Sequence, residues 1–188
     1  MQKLMFNDKY GLTQAVLEGH KTMTRRIVKD GTPLGNWGEI EKYAKYKIGE
    51  VVAVAQSYQS IEKEIRSLGL PLDLKENIAK HKGYTNKMFV KSSYMPHRIR
   101  ITNIKVERLQ HITDEDCLKE GVYYDGEVDG YKVKNLSLPN KPYWAKCMRQ
   151  MYFKTPREAF AALIDKVSGK GTWESNPWVY VYSFELVK

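Results

Sequence analysis

The chain has 188 residues, 42% hydrophobic and 28% charged, enough for one domain with a sizeable core and ordinary for a soluble protein. Lys and Arg outnumber Asp and Glu by 31 to 22, a net charge of +9, which favours anionic partners: nucleic acid first, then an anionic membrane, then a phosphorylated small molecule. The opening Met1-Gln2-Lys3-Leu4-Met5-Phe6 is too short an apolar run for a signal peptide or a spanning helix. The two cysteines, Cys117 and Cys147, make no CxxC and have no zinc-finger histidines, so a reduced, cytoplasmic setting without metal or cofactor is expected.

Leu4 to Phe6 reads as a first strand. Asn7 or Asp8 then caps a short helix with Leu12, Ala15 and Val16 on its apolar face and Gly19 as its stop. Gly19-His20-Lys21-Thr22-Met23-Thr24-Arg25-Arg26 is a turn into a strand ending near Val28, followed by a glycine-rich loop over 30–47. Val51-Val52-Ala53-Val54-Ala55 is apolar on both faces and predicts a buried central strand that ends at Gln56. Residues 57–88 read as a surface insertion with a helix from Ser60 to Leu68, and strand character returns at Met88 to Val90.

Over Arg98 to Leu109, Ile99 and Ile101 share one face, and Ile104 and Val106 resume after a one-residue slip at Asn103. Such a slip predicts a bulge where a sheet curls. Thr113-Asp114-Glu115-Asp116 opens a helix that Gly121 closes, and residues 122–150 read as a second insertion, with Asp125-Gly126 and Asp129-Gly130 as turns. Thr155-Pro156-Arg157-Glu158 starts a helix carrying Phe160, Leu163, Ile164 and Val167 on one face and stopping at Gly169. Pro177 to Val187 alternates as a terminal core strand. Short strands and a few helices without regular βαβ alternation predict a single α+β domain over 1–188. Its expected form is a small, curled, mostly antiparallel β-barrel with helices packed outside it.

The octet 19–26 concentrates chemistry. Lys21 becomes a base if its pKa is lowered, Thr22 and Thr24 offer hydroxyls, and Arg25 and Arg26 suit phosphate or carboxylate. The plainer alternative is a basic, solvated strand edge. Arg98, Arg100, Lys105 and Arg108 gather on one strand, and Lys141, Lys146, Arg149 and Lys154 flank Tyr143, Trp144 and Tyr152. Basic residues interleaved with aromatics suit a single-stranded nucleic acid, although a solvated charged face beside core aromatics has the same composition.

Gly19, Lys21, Thr22, Thr24 and Arg26 match a Gly-x-Lys-Thr-x-Thr-x-Arg pattern. It is followed by Ile48-Gly49-Glu50-Val51-Val52, then Leu109-Gln110-His111-Ile112-Thr113 running into Glu120-Gly121-Val122, then Trp173-Glu174-Ser175-Asn176-Pro177-Trp178-Val179. In this order the four landmarks resemble the ASCH family, of PUA-like β-barrel fold, and the tail is similar to longer phage and prophage members. The resemblance implies binding of RNA or a modified nucleobase in a cleft beside the barrel. Small bacterial members hydrolyse N(4)-acetylcytidine to cytidine and acetate. By motif, Lys21 would be the proton acceptor, Thr24 the nucleophile and Glu120 the proton donor. Thr22, Arg25, Arg26, Gln56, Arg98 and Arg100 are the further candidates for substrate binding.

Two departures stand out: this chain is much longer than the small hydrolases, and it has Gln56 where longer members often carry a glutamate. The expected partner is therefore a nucleoside or RNA, or single-stranded DNA, and not a membrane. The open alternatives are a hydrolase, a non-catalytic reader, and a protein-interaction module. A regular strand would point Lys21 and Thr24 to opposite faces, so they converge only if Lys21 lies in the turn after Gly19.

Overall fold

The computed structural model describes residues 1–33, 35, 41–68, 78–127, 129–136 and 152–187. Its centre is a five-stranded sheet of β1 (Lys3–Leu4), β2 (Met23–Ile27), β3 (Val51–Val54), β4 (Arg98–Arg108) and β7 (Trp178–Val187), in the order β1-β3-β4-β7-β2. β1 runs parallel to β3, and the other neighbours are antiparallel. β5 (Tyr123–Asp125) and β6 (Gly130–Lys132) form a separate hairpin.

The slip in hydrophobic period on β4 is a real irregularity. Its pairing with β7 shifts between Ile101 and Asn103, which keeps Ile99, Ile101 and Ile104 buried along one strand. The shift bends the two longest strands and curls the sheet. Among the described residues, however, the sheet does not close into the expected barrel. β1 is two residues long and ends before it can pair with β2. Side chains reach into that seam instead: from β2, Arg26 Nη2 donates to Met5 O at 2.5 Å, and from the segment before β3 the Tyr46 hydroxyl donates to Lys3 O at 3.1 Å.

Helices pack against this sheet. α1 (Leu12–Leu17) starts one element later than the polar residues suggest. Asn7 caps a 3₁₀ turn at Asp8–Tyr10, and Gly11, at φ 66°, separates that turn from the helix. α2 (Tyr58–Ser67) is capped by Ser57, α3 (Asp114–Lys119) by Thr113, and α4 (Pro156–Ser168) by Thr155, whose hydroxyl accepts from Glu158 N. α4 buries Ala159, Phe160, Leu163 and Ile164, spaced to share one face. α5 (Thr172–Ser175) follows.

β3 is apolar on both faces because it has a core on each. Val52 and Val54 join the main core, while Ala53 and Ala55 pack with Tyr58, Ile61, Val90 and Met95. The segment expected as a surface insertion at 57–88 therefore supplies part of a second core; its residues 69–77 lie outside the described residues. The strand expected at Met88–Val90 is instead a 3₁₀ turn, Lys87–Phe89. The carbonyls of Lys87, Met88 and Val90 accept from the Lys3 ammonium rather than from a neighbouring strand. Among the described residues no helix is long and apolar enough to cross a membrane.

Candidate functional site

The turn after α1 decides where Lys21 goes. Gly19 adopts φ 77°, Lys21 N donates to Ala15 O, and β2 starts only at Met23. Lys21 thus lies ahead of the regular strand, and its side chain is free of the alternation that would part it from Thr24. Both residues border one cavity of about 350 Å3, together with Arg25, Arg26 and Glu120. This cavity runs along the free edge of β2, and Phe160, Leu163 and Ile164 of α4 form its apolar side.

Glu120 comes from the end of α3. The next residue, Gly121, has φ 100°, and a Cβ there would lie 3.1 Å from Leu12 Cδ2 and 3.7 Å from Lys21 Cδ. Only glycine combines that backbone with that proximity. The turn brings Glu120 back onto the octet. Lys21 Nζ donates to Glu120 Oε2 at 2.5 Å and to Glu120 O at 2.7 Å, and Thr22 N donates to Lys119 O. A lysine on the last carbonyl of a helix satisfies an acceptor that the helix itself leaves open.

Lys21 is 2% exposed. Burial pushes its pKa below the ordinary lysine value; Glu120 opposes that shift, and the charges of Arg26 and Arg25 add to it. The Phe6 ring, 5.9 Å from Nζ, is part of the apolar surround.

Arg25 binds the cluster together. Its Nη2 donates to Glu107 Oε1 at 2.7 Å and to Asp116 Oδ2 at 2.8 Å, and its Nη1 lies 3.2 Å from Glu120 Oε1. Lys105 reaches Glu107 Oε2 at 3.0 Å and Asp116 Oδ2 at 3.3 Å. Lys21, Arg25 and Lys105 thus face Glu107, Asp116 and Glu120, and Lys119 adds a more distant fourth cation 3.9 Å from Asp116 Oδ1. Burial raises the Asp116 carboxyl, but the hydrogen bond from Arg25 and the charges of Lys105 and Arg25 outweigh it and hold the carboxyl below its usual range. Thr24 is buried at the cavity edge, opposite Tyr182 in the β2–β7 ladder.

Arg26 is arranged differently. Among the described residues its one hydrogen bond is to Met5 O, its buried Nε has no partner, and no carboxylate pairs with it.

The remaining sequence candidates lie elsewhere. Thr22 is half-buried and serves through its backbone, accepting from Phe184 N and donating to Lys119 O. Gln56 is buried but donates to Glu64 Oε2 at 3.1 Å, next to a different cavity, and its Oε1 is unpartnered. Arg98 and Arg100 sit on the far half of β4, beyond the bulge, where Arg100 pairs with Glu185 at 3.5 Å.

The expected basic track is not continuous along β4. Lys105 is held by carboxylates, and Arg108 stacks on Trp178 at 4.5 Å. Lys141, Tyr143, Trp144, Lys146, Cys147 and Arg149 lie outside the described residues. Cys117 is buried and its thiol is pushed up to about 12 by burial, so it packs rather than reacts.

The octet did not point to Glu107, Lys105 or Asp116 as partners of Arg25. Asp116 carried a signal of its own, standing four residues before Glu120 at the end of the same helix. Glu107 and Lys105 are brought to Arg25 only by strand register: β7 lies between β2 and β4, with Val181 opposite both Arg25 and Lys105.

No family model and no curated protein matches the sequence. Two solved structures are similar. A DUF984 protein from Enterococcus faecalis V583 is 13% identical, with a TM-score of 0.36, over 94% of this chain and 66% of that one; this chain therefore spans just under two thirds of that protein. An ASCH domain from Lactobacillus crispatus JV V101 is 10% identical, with a TM-score of 0.38, over 96% of this chain and 75% of that one. The second carries the name of the family that the octet resembles. At those TM-scores the likeness in overall shape is partial.

Proposed function

We propose that the cavity along β2 binds a nucleobase or nucleoside and hydrolyses an acylated exocyclic amine, as in N(4)-acetylcytidine. The observation that carries this reading is the convergence of Lys21, Thr24 and Glu120 on one cavity, with a buried Lys21–Glu120 contact of 2.5 Å. A volume near 350 Å3 is within the range of small-molecule sites.

The residues divide the work. Moving one proton along the Lys21–Glu120 contact converts the ion pair into a neutral amine beside a neutral acid. Burial, which lowers the Lys21 pKa, favours its neutral amine. The neutral amine takes the proton from Thr24 Oγ1 as that oxygen attacks the acetyl carbonyl. When the tetrahedral intermediate collapses, the C–N bond breaks and the exocyclic nitrogen takes a proton from Glu120. Water then cleaves the acetyl ester on Thr24, releasing acetate and restoring the hydroxyl. Arg25 holds the second oxygen of Glu120 and so fixes the carboxyl in place.

Incubating the purified chain with N(4)-acetylcytidine, followed by chromatography, tests this reading. Cytidine and acetate are expected, with the rate reduced about 10²- to 10⁴-fold in Lys21→Met and in Glu120→Gln, the usual worth of a positioned acid or base. A folded wild-type chain that yields no product overturns the hydrolysis. If the nucleoside also fails to bind, the whole reading falls.

A non-catalytic reader of RNA or single-stranded DNA is the second reading, favoured by the net charge of +9 and by the Arg108 guanidinium stacked on the half-exposed Trp178. Oligonucleotide affinity that falls steeply with salt and ignores Lys21→Met would support it.

A further inference from the structure

Arg26 stands between two cavities. One is the Lys21 cavity; the other, about 650 Å3, opens at the seam where β1 and β2 fail to pair. The described lining of the seam cavity is basic and aromatic, with Tyr43 and Tyr46 among its rings and no carboxylate among the described residues. Lys3 turns its ammonium away, onto the carbonyls of Lys87, Met88 and Val90. That leaves Arg26, Lys29 and Lys45, none of them paired with a carboxylate among the described residues.

Three like charges around a concavity with low-dielectric sides repel one another and concentrate a positive potential there. Arg26 Nε is buried without an acceptor among the described residues, so its guanidinium carries a desolvation cost that a negative charge beside it would offset. The rings supply a second kind of contact. Tyr43 is 48% exposed, with the Lys42 ammonium 6.0 Å from its ring centroid, and offers a ring on which a planar partner can stack. A bare inorganic anion would use only the charges, and an uncharged ring only the tyrosines. A phosphate joined to a ring uses both.

We propose that the seam cavity is a second ligand site, which takes a ring-bearing phosphate of the nucleoside 5′-monophosphate class. Lys29, Lys45 and Arg26 meet the phosphate and Tyr43 the ring. This site goes beyond the Lys21 reading and does not depend on it.

Calorimetric titration of the full chain at low salt tests it, with cytidine 5′-monophosphate, cytidine and inorganic phosphate as probes. The monophosphate is expected to bind at least about tenfold more tightly than either of the others. Changing Lys29→Ala and Lys45→Ala together removes that advantage, and Tyr43→Ala weakens the monophosphate but not phosphate. All three positions are exposed, and a thermal melt checks that these variants remain folded. In Lys21→Met the advantage persists.

The proposal is overturned if the monophosphate does not bind or binds no better than cytidine. It is also overturned if the advantage survives the double lysine change, or if it vanishes in Lys21→Met, since the phosphate then lies in the first cavity. Hydrolysis of N(4)-acetylcytidine is read separately, so either result can fail without the other.

Discussion

Arg25 gives its guanidinium to Glu107, Asp116 and Glu120, whereas Arg26, the next residue on β2, meets one backbone oxygen and no carboxylate among the described residues. Alternation along the strand separates the two. Arg25 lies opposite Val181, on the face of Lys105, while Arg26 lies opposite Tyr180, toward the seam. One arginine is spent on joining β2, β4 and α3 through ion pairs. The other makes one hydrogen bond and no ion pair among the described residues. Sequence adjacency thus says little about role in a strand, because neighbouring positions belong to different environments.

The largest test of this contrast is Arg25→Met. It leaves three carboxylates facing each other with Lys21, the half-exposed Lys105 and Lys119 at the rim as remaining counter-charges. Removing one partner from a buried ion cluster costs about 3–5 kcal/mol, to be read by urea unfolding. Arg26→Met orphans no carboxylate, and its expected effect on the same assay is within about 1 kcal/mol, the worth of one hydrogen bond. Equal losses in the two variants would erase the distinction between them.

A finer probe is pH. The Asp116 carboxyl is held lower in the folded chain than its ordinary value. Its contribution to stability is therefore complete above the unfolded pKa, about 3.9, and is lost as pH falls through the lower folded value. The melting temperature should drop as pH falls below the unfolded value of about 3.9, and drop less steeply in Asp116→Asn. A parallel decline in both would detach Asp116 from the cluster.

Much of the fold was legible because it is local. Thr113 and Thr155 act as the caps their spacing announces, and the slip in hydrophobic period at Asn103 is the register shift itself. The convergence of Lys21 with Glu120, ninety-nine residues apart, could be proposed only through the family motif. The charge cluster around Arg25 was not legible, since Glu107 and Lys105 reach it through the register of β7 between β2 and β4. Closure of the sheet was misjudged for a related reason. Apolar alternation reports that strands are buried, but not whether the first and last strands meet, and here β1 stops after two residues.

That open seam bears on how such a molecule changes over generations. In a closed barrel the ladder is made of backbone, which single substitutions other than to proline leave in place. Here, among the described residues, the contacts that reach into the gap come from Arg26 and Tyr46, so the width of the opening is set in part by side chains. Single substitutions at these positions can retune what fits, while the hydrogen-bonded ladder of the other strands stays as it is.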